Sequence, residues 1–264
     1  MNNARTILEP LAGSIPSVSL EEMDSVRLLN RTDTKYVTDE TTLVSLLEDA
    51  RAAGYRALET SGSKLSPYTT VYYDTDGLKM YLAHHDKRLV RQKVRTRIYE
   101  NSGEAYLEIK RKDNHGRTRK KRTRIPCDEL LGFGGDGDAC DYLARHSAFT
   151  ADMLQPVLST SFARITLVNA AMTERLTIDT GVHFSNYRTG LGGSLKDAVI
   201  IELKQDGRYA SQMKGILLDH RVKPLRVSKY CIAETLTDPS AKKNRFKEKV
   251  RSIEKIINDK IEVI

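Results

Sequence analysis

The chain has 264 residues, 30% of them charged and 39% hydrophobic, with a formal net charge of +8. That length buries a real core as one large or two small domains, and the composition is that of an ordinary soluble globular protein. The basic balance favours an anionic partner, whether nucleic acid, membrane surface or polyphosphate. Cys127, Cys140 and Cys231 are scattered, odd in number and in no ligand spacing, which points to reduced thiols. No charged-then-apolar signal opens the sequence and no apolar run approaches the ~20 residues that span a bilayer. A cytoplasmic protein without a transmembrane segment is expected.

Residues 1–18 lack periodicity and read as a loose arm. Ser19 caps a helix over residues 20–29, with Met23, Val26 and Leu29 as its stripe. Residues 31–37 alternate as a strand with Arg31, Asp33 and Lys35 on one face. Thr38 or Asp39 caps a second helix whose apolar face is Leu43, Leu46, Leu47 and Ala50, ending at Gly54. Residues 68–74 form a Tyr-rich strand, read as wall packing with hydroxyls towards water. A short helix through Met80 and Leu82 leads to His84 and His85, which read as surface residues.

Residues 87–124 hold fifteen Lys or Arg against four acids. In Arg91-Gln92-Lys93-Val94-Arg95-Thr96-Arg97-Ile98 every odd position is basic and no even one is, the period of a β-strand with all charge on one face. Asn101-Ser102-Gly103 is a turn, and a second strand places Glu108 and Lys110 opposite Leu107 and Ile109. After the turn Asp113-Asn114-His115-Gly116, residues 117–125 form a third, very basic strand. Packed like charges at cross-strand distance are destabilising unless something anionic lies between them, and a ligand with several phosphates is the simplest candidate.

Beyond Pro126 a Gly-rich stretch, residues 132–138, reads as a hinge. Strands follow at residues 160–168, 175–179 and 198–204. They set Phe162, Arg164 and Thr166, then Arg175, Thr177 and Asp179, then Glu202 and Lys204, against apolar partners. A helix through Met213, Ile216 and Leu217 precedes Ser228-Lys229-Tyr230. From Pro239 a long amphipathic helix carries Phe246, Val250, Ile253 and Ile257. About eight strands have one apolar and one charged face, mainly basic with isolated acids at Asp33, Glu108, Asp179 and Glu202. A closed or nearly closed barrel accommodates this, with a polar lumen and helices over the apolar outer wall.

Asp33-Thr34-Lys35-Tyr36, Val71-Tyr72-Tyr73-Asp74-Thr75, Arg95-Thr96-Arg97, Leu107-Glu108-Ile109-Lys110, Ser161-Phe162-Ala163-Arg164, Thr177-Ile178-Asp179-Thr180, Ile201-Glu202-Leu203-Lys204 and Ser228-Lys229-Tyr230 follow one another in the sequence. In that order they resemble the VTC-domain polyphosphate polymerases of the triphosphate tunnel metalloenzymes, in a stand-alone bacterial-type form. The resemblance implies an α+β fold built on an eight-stranded antiparallel tunnel over residues 19–237, followed by a C-terminal helix over 238–264. It implies transfer of the γ-phosphate of ATP to a growing polyphosphate chain, releasing ADP, with Mn2+ or Mg2+ as cofactor.

By the same resemblance Arg95, Arg97, Lys110 and Lys229 carry the catalysis. Lys35, Lys120, Arg122, Arg164 and Lys204 bind substrate phosphates, and Glu202 holds the metal; in the run 117–124 the register is open by one residue. The inositol-phosphate-binding domain and membrane helices of the eukaryotic members have no counterpart in this sequence, so coupled export is not carried over.

These residue types suit phosphoryl transfer, which needs in-line placement and stabilisation of charge on equatorial oxygens rather than covalent help. Guanidinium forks clamp phosphate oxygens bidentately, and lysines act as point charges. The plainer alternative for any single Lys or Arg is a solvated sheet face, and for Glu202 a pairing with a cation. Asp179 reads as orienting Arg175 or Arg164, and Asp33 as orienting Lys35. Two rival functions share the pattern: a triphosphatase or polyphosphatase of the same fold, and a nucleic-acid-binding module. The second is disfavoured because the basic strands offer only Tyr99 and Tyr106 for stacking and the chain has no Trp.

Overall fold

Two-residue alternation produces strands where the sequence predicts them, and the strands pair antiparallel into one curled sheet. The structure, a computed structural model, describes residues 3–24, 31–132 and 137–264. Its elements begin Asn3–Ser14 (α1), Ser17–Val18 (β1), Leu20–Asp24 (α2), Arg31–Asp39 (β2), Glu40–Ala52 (α3), Arg56–Leu58 (β3), Ser66–Asp74 (β4) and Lys79–His85 (α4). The basic region supplies Arg91–Tyr99 (β5), Glu104–Lys112 (β6) and Thr118–Ile125 (β7). A 3-10 segment, Cys127–Leu131, leads to Asp138–His146 (α5), and a second, Ala151–Met153, to Gln155–Val168 (β8). Glu174–Asn186 (β9), Gly192–Ser194 (β10), Ala198–Asp206 (β11), Gln212–Asp219 (α6), Lys229–Thr237 (α7) and Asn244–Ile257 (α8) complete the chain.

The main path of the sheet is β2-β11-β9-β8-β4-β5-β6-β7, eight strands curled into a half-barrel. Among the described residues β2 and β7 do not pair, so the barrel stays open along that seam. One cause of the curl is a bulge between β8 and β9, where Ser161 faces His183 but Ala163 faces Thr180. Gly181 sits in the extra loop of backbone at φ +57°, a conformation glycine adopts without steric cost.

The convex face is apolar and carries two layers of helices. Over β2, β11, β9 and β8, side chains such as Tyr36, Ile165, Ile178 and Ile201 pack against α1, α3 and α6. Asp39 caps α3, its carboxylate accepting from the Thr42 amide at 2.8 Å, which contributes ~1 kcal/mol. The helix then buries Leu43, Leu46, Leu47 and Ala50; each leucine contributes roughly 1.5–3 kcal/mol. Over β4 to β7, Val71, Tyr73, Val94, Leu107 and Ile109 pack against α5 and its flanking segments.

The eight-stranded antiparallel barrel expected from the sequence is present as a half-barrel. Two sequence expectations change. The N-terminal arm is not loose: α1 buries Leu8 and Ala12, and Ser17–Val18 pairs with β3. The C-terminal helices do not lie on the outer wall. One end of the concave face is apolar, through Val37, Tyr72, Phe162 and Ile200, and packs with α7 and α8 through Tyr230, Phe246 and Ile253. The chain then folds back so that Ile264 bonds Gly192 in both directions. Gly193 allows this approach, since a Cβ there would lie 2.6 Å from the Glu262 carbonyl oxygen. Val26 and Leu29 of the first predicted helix, and most of the predicted hinge, lie outside the described residues.

Candidate active site

Strand register assembles the site. Lys35 stands opposite Glu202, which stands opposite Thr177; Arg164 stands opposite Asp179. Across the other half, Tyr72 faces Arg95, Arg95 faces Glu108, and Glu108 faces Arg122, with Lys110 between Lys93 and Lys120. Alternation turns all of these to the concave face, and the open register of β7 resolves with Lys120 and Arg122 inward. Lys229 enters from the first residue of α7, whose N-cap is Ser228. Every predicted site residue therefore lies along one trough.

Three carboxylates punctuate the cations, each pinned. Glu108 accepts from Arg95 Nε at 2.7 Å and pairs with Lys120. Asp179 takes a bidentate fork from Arg164, at 2.6 and 2.8 Å, and pairs with Lys229. Glu202 lies 3.0 Å from Lys204 and 3.7 Å from Lys35, which also donates to the Val227 carbonyl at 3.1 Å. Burial opposes ionisation of all three acids, but the surrounding cations hold each below the usual carboxylate range. Asp33 pairs with Arg31 at 2.6 Å rather than orienting Lys35.

Arg97 differs from its neighbours. It is 5% exposed, its Nε donates to Thr70 Oγ1 at 2.9 Å, and no described carboxylate pairs with it. Tyr68 and Phe162 stack with centroids 5.4 Å apart. Their rings lie 5.3 and 5.6 Å from the Arg97 guanidinium carbon, and 5.1 and 5.3 Å from that of Arg164. Lys229 Nζ lies 4.1 Å from the Phe162 centroid. An aromatic platform thus supports three crowded cations through the faces of its rings, each contact contributing ~0.5–2 kcal/mol. Burial and Arg95 push the Arg97 guanidinium below its ordinary value. Burial likewise pushes the Lys229 ammonium down to about 8, in spite of Asp179.

Sequence reasoning passed over several of these groups. Lys93 belongs to the same odd-numbered series as Arg95 and Arg97, and its Nζ donates to Ser228 Oγ at 2.6 Å. Phe162 shares the face of Arg164, which was the signal for the platform. Tyr72 faces the trough rather than water, and although burial resists ionisation, Arg95, Arg97, Lys229 and Lys93 draw its phenol down to about 8. Asp74 ends the Tyr-rich strand buried, accepting from the Met80 and Tyr81 amides and the Tyr230 hydroxyl, and so fixes α4 and α7 beside the trough. The two histidines are not surface residues. His85 is 2% exposed against Phe246. Burial and the cations Lys93, Arg91, Lys110 and Lys35 hold His84 neutral, with a pKa of about 2.

The described residues contain no cluster of three or more His, Cys, Asp or Glu that could hold a metal. Glu202 is one hard carboxylate oxygen donor at the trough, which fits Mg2+ or Mn2+ held chiefly through substrate phosphates and does not fit a dedicated protein cage. No described helix is long and apolar enough to cross a membrane.

A curled antiparallel half-barrel with a cationic concave face and pinned carboxylates has the chemistry of an anion site. The VTC domain model matches residues 30–237, and the chain belongs to that family. The fold is also similar to solved structures. One is a candidate adenylate cyclase from Bacillus halodurans, 14% identical with a TM-score of 0.51, matched over 83% of this chain and 100% of that one. Another is a candidate adenylyl cyclase from Hippeastrum, reported with a dominant triphosphatase activity. It is 14% identical with a TM-score of 0.50, matched over 76% of this chain and 93% of that one. Comparison with curated protein sequences finds no match.

Proposed function

We propose that this chain is a polyphosphate polymerase. The terminal phosphate of a polyphosphate chain attacks the γ-phosphorus of ATP, a new P–O–P bond forms, the bond to the β-phosphate oxygen breaks, and ADP leaves. The observation that carries the reading is Arg97: a buried guanidinium without a carboxylate is costly unless an anion completes it. Arg97 and Arg95 clamp the transferring phosphoryl group, and Lys229 and Arg164, held by Asp179, take the neighbouring phosphate. Lys35, Lys93, Lys110, Lys120, Arg122 and Lys204 guide the rest of the chain. Glu202 would hold a divalent ion, which supplies charge neutralisation on the triphosphate oxygens. The acceptor is already ionised near neutral pH, and each of the three trough carboxylates is held by cations rather than free to activate water.

One observation favours a triphosphatase instead. Helices α7 and α8 cover the apolar end of the concave face, whereas a growing chain needs a way out. The open seam between β2 and β7, edged by the exposed Lys120 and Arg122, offers that exit in the polymerase reading. Incubation with ATP and Mn2+ separates the two. A ladder of polyphosphate with stoichiometric ADP supports the polymerase; orthophosphate released from tripolyphosphate or ATP, with no ladder, replaces it with the hydrolase.

A further inference from the structure

Only part of the charge on the β6–β7 hairpin faces the trough. Alternation turns Arg111, Arg119 and Lys121 to the convex side, where Arg111 stands directly opposite Arg119, and Lys121 directly opposite Ile109. There they meet the last turn of α5, which carries Arg145 and His146. These side chains enclose a cleft of about 490 Å³, with buried Ile109 among its lining residues. Asp113, the acid at its edge, is occupied by its own turn, accepting the Arg117 amide at 2.9 Å. Among the described residues Arg111, Arg119 and Lys121 form no ion pair.

The cleft wall is fixed without a ligand. Ala139 and Leu143 bury α5 against the sheet, and the Tyr142 hydroxyl donates to the Arg122 carbonyl at 3.0 Å. Gln92 reaches from β5 to donate to Ser147 Oγ at 2.7 Å and to accept the Ala148 amide at 3.2 Å. A solvated strand face explains isolated cations. It does not explain two arginines set opposite each other across a strand pair beside a third from a helix, an arrangement that disfavours the bare sheet.

We propose that this cleft is a second anion site, for a linear phosphate oligomer, on the opposite side of the sheet from the trough. Arginine forks match phosphate oxygens bidentately, and their spacing along the hairpin suits an extended anion. No Phe, Tyr or Trp lines the cleft, and His146 is the one aromatic ring among its lining residues, which favours a phosphate chain over a run of stacked bases. The assignment stands apart from the activity proposed for the trough.

Calorimetric titration of the whole chain with tripolyphosphate at low salt tests it. Wild type should show two sites per chain. Arg111→Ser/Arg119→Ser should lose one and keep the other at unchanged affinity, and Arg145→Ser should weaken that same site roughly tenfold. Arg97→Ala should do the converse, so failure of the outer site and failure of the trough reading give different isotherms. If the double variant does not fold, Arg145→Ser supplies the same readout from a different element. A single wild-type site that Arg97→Ala removes and the outer substitutions leave unchanged, or two sites that none of the outer substitutions changes, overturns the proposal. So does displacement of the outer tripolyphosphate by a single-stranded oligonucleotide of equal charge, which would make the cleft a nucleic-acid surface.

Discussion

The floor of the trough and the outer face of the β6–β7 hairpin use the same residue types to different effect. On the floor, Arg95, Arg97 and Arg164 are withdrawn from water, braced by Glu108, Asp179 or aromatic rings, and held in one geometry. On the outer face, Arg111, Arg119 and Lys121 stay exposed without acids to orient them. Buried, braced cations act on an anion at full strength because little reorganisation or screening intervenes; exposed ones are weakened by salt over a Debye length of ~8–10 Å. Charge count alone does not separate the two faces. Depth and the three pinned carboxylates do.

The contrast can be broken from the inside first. Glu202→Gln should abolish polymer synthesis while leaving tripolyphosphate affinity within about twofold, because the cations of the floor remain. Activity against Mn2+ concentration, read beside calorimetry, checks this; near-normal turnover at an unchanged half-saturating metal concentration would reduce Glu202 to a partner of Lys204. Arg97→Ala should lower synthesis roughly ten- to a thousandfold and cost the apo protein little, since it relieves crowding with Arg95. Steady-state rates and a melting curve on the same preparation read both effects. A variant that unfolds yet keeps normal specific activity in its folded fraction would remove Arg97 from the clamp.

Proton binding sharpens the comparison. With a free-protein pKa of about 8, Lys229 is charged below that pH and neutral above it. Phosphate binding should therefore weaken several-fold between pH 7.5 and 9, whereas the outer arginines stay charged throughout. Binding isotherms of wild type and Arg111→Ser/Arg119→Ser at three pH values test this, and a flat profile in the double variant contradicts it.

Depth acts on an acid in the opposite sense at Glu234. Burial, with Asp238 nearby, pushes its carboxyl from 4.5 up to about 8, while Asn186 donates to it at 3.1 Å. The folded protein thus holds a proton that the unfolded chain has lost between pH 4.5 and 8, and its stability falls as pH rises through that window. Glu234→Gln should stabilise the protein by roughly 1–3 kcal/mol at pH 8 and by little at pH 5. Urea denaturation at both values measures the difference. The smallest effect belongs to the surface: Lys121→Ala should change stability by less than ~0.5 kcal/mol.

Much of the sheet was legible because a strand writes itself in alternate residues. Arg91 to Arg97 and Leu107 to Lys110 announce both their conformation and their inward face, and Asp39 announces the start of α3. The rest depends on tertiary context. The two-residue pattern of β9 breaks at Gly181, so a strand that continues through the bulge to Asn186 read as ending at Asp179. Helix α1 holds Pro10 and no acid in its first turn, which leaves little local signal for a helix secured by burial of Leu8 and Ala12. The apolar stripe of α8 was plain, but no stripe states which face it will cover. Phe162 and Tyr68 lie on strands adjacent only in the folded sheet, so their platform under Arg97, Arg164 and Lys229 is a product of register.

Thermal melting of wild type and Arg97→Ala with polyphosphate, or with duplex DNA of equal charge, tests the central claim most directly: that the concave face is a phosphate-chain site too narrow for a duplex. Polyphosphate should raise the wild-type melting temperature through preferential binding to the folded state, DNA should have far less effect, and Arg97→Ala should remove most of the polyphosphate shift. Equal shifts from both polyanions, unaltered in Arg97→Ala, would contradict the account and leave an exposed basic surface in its place.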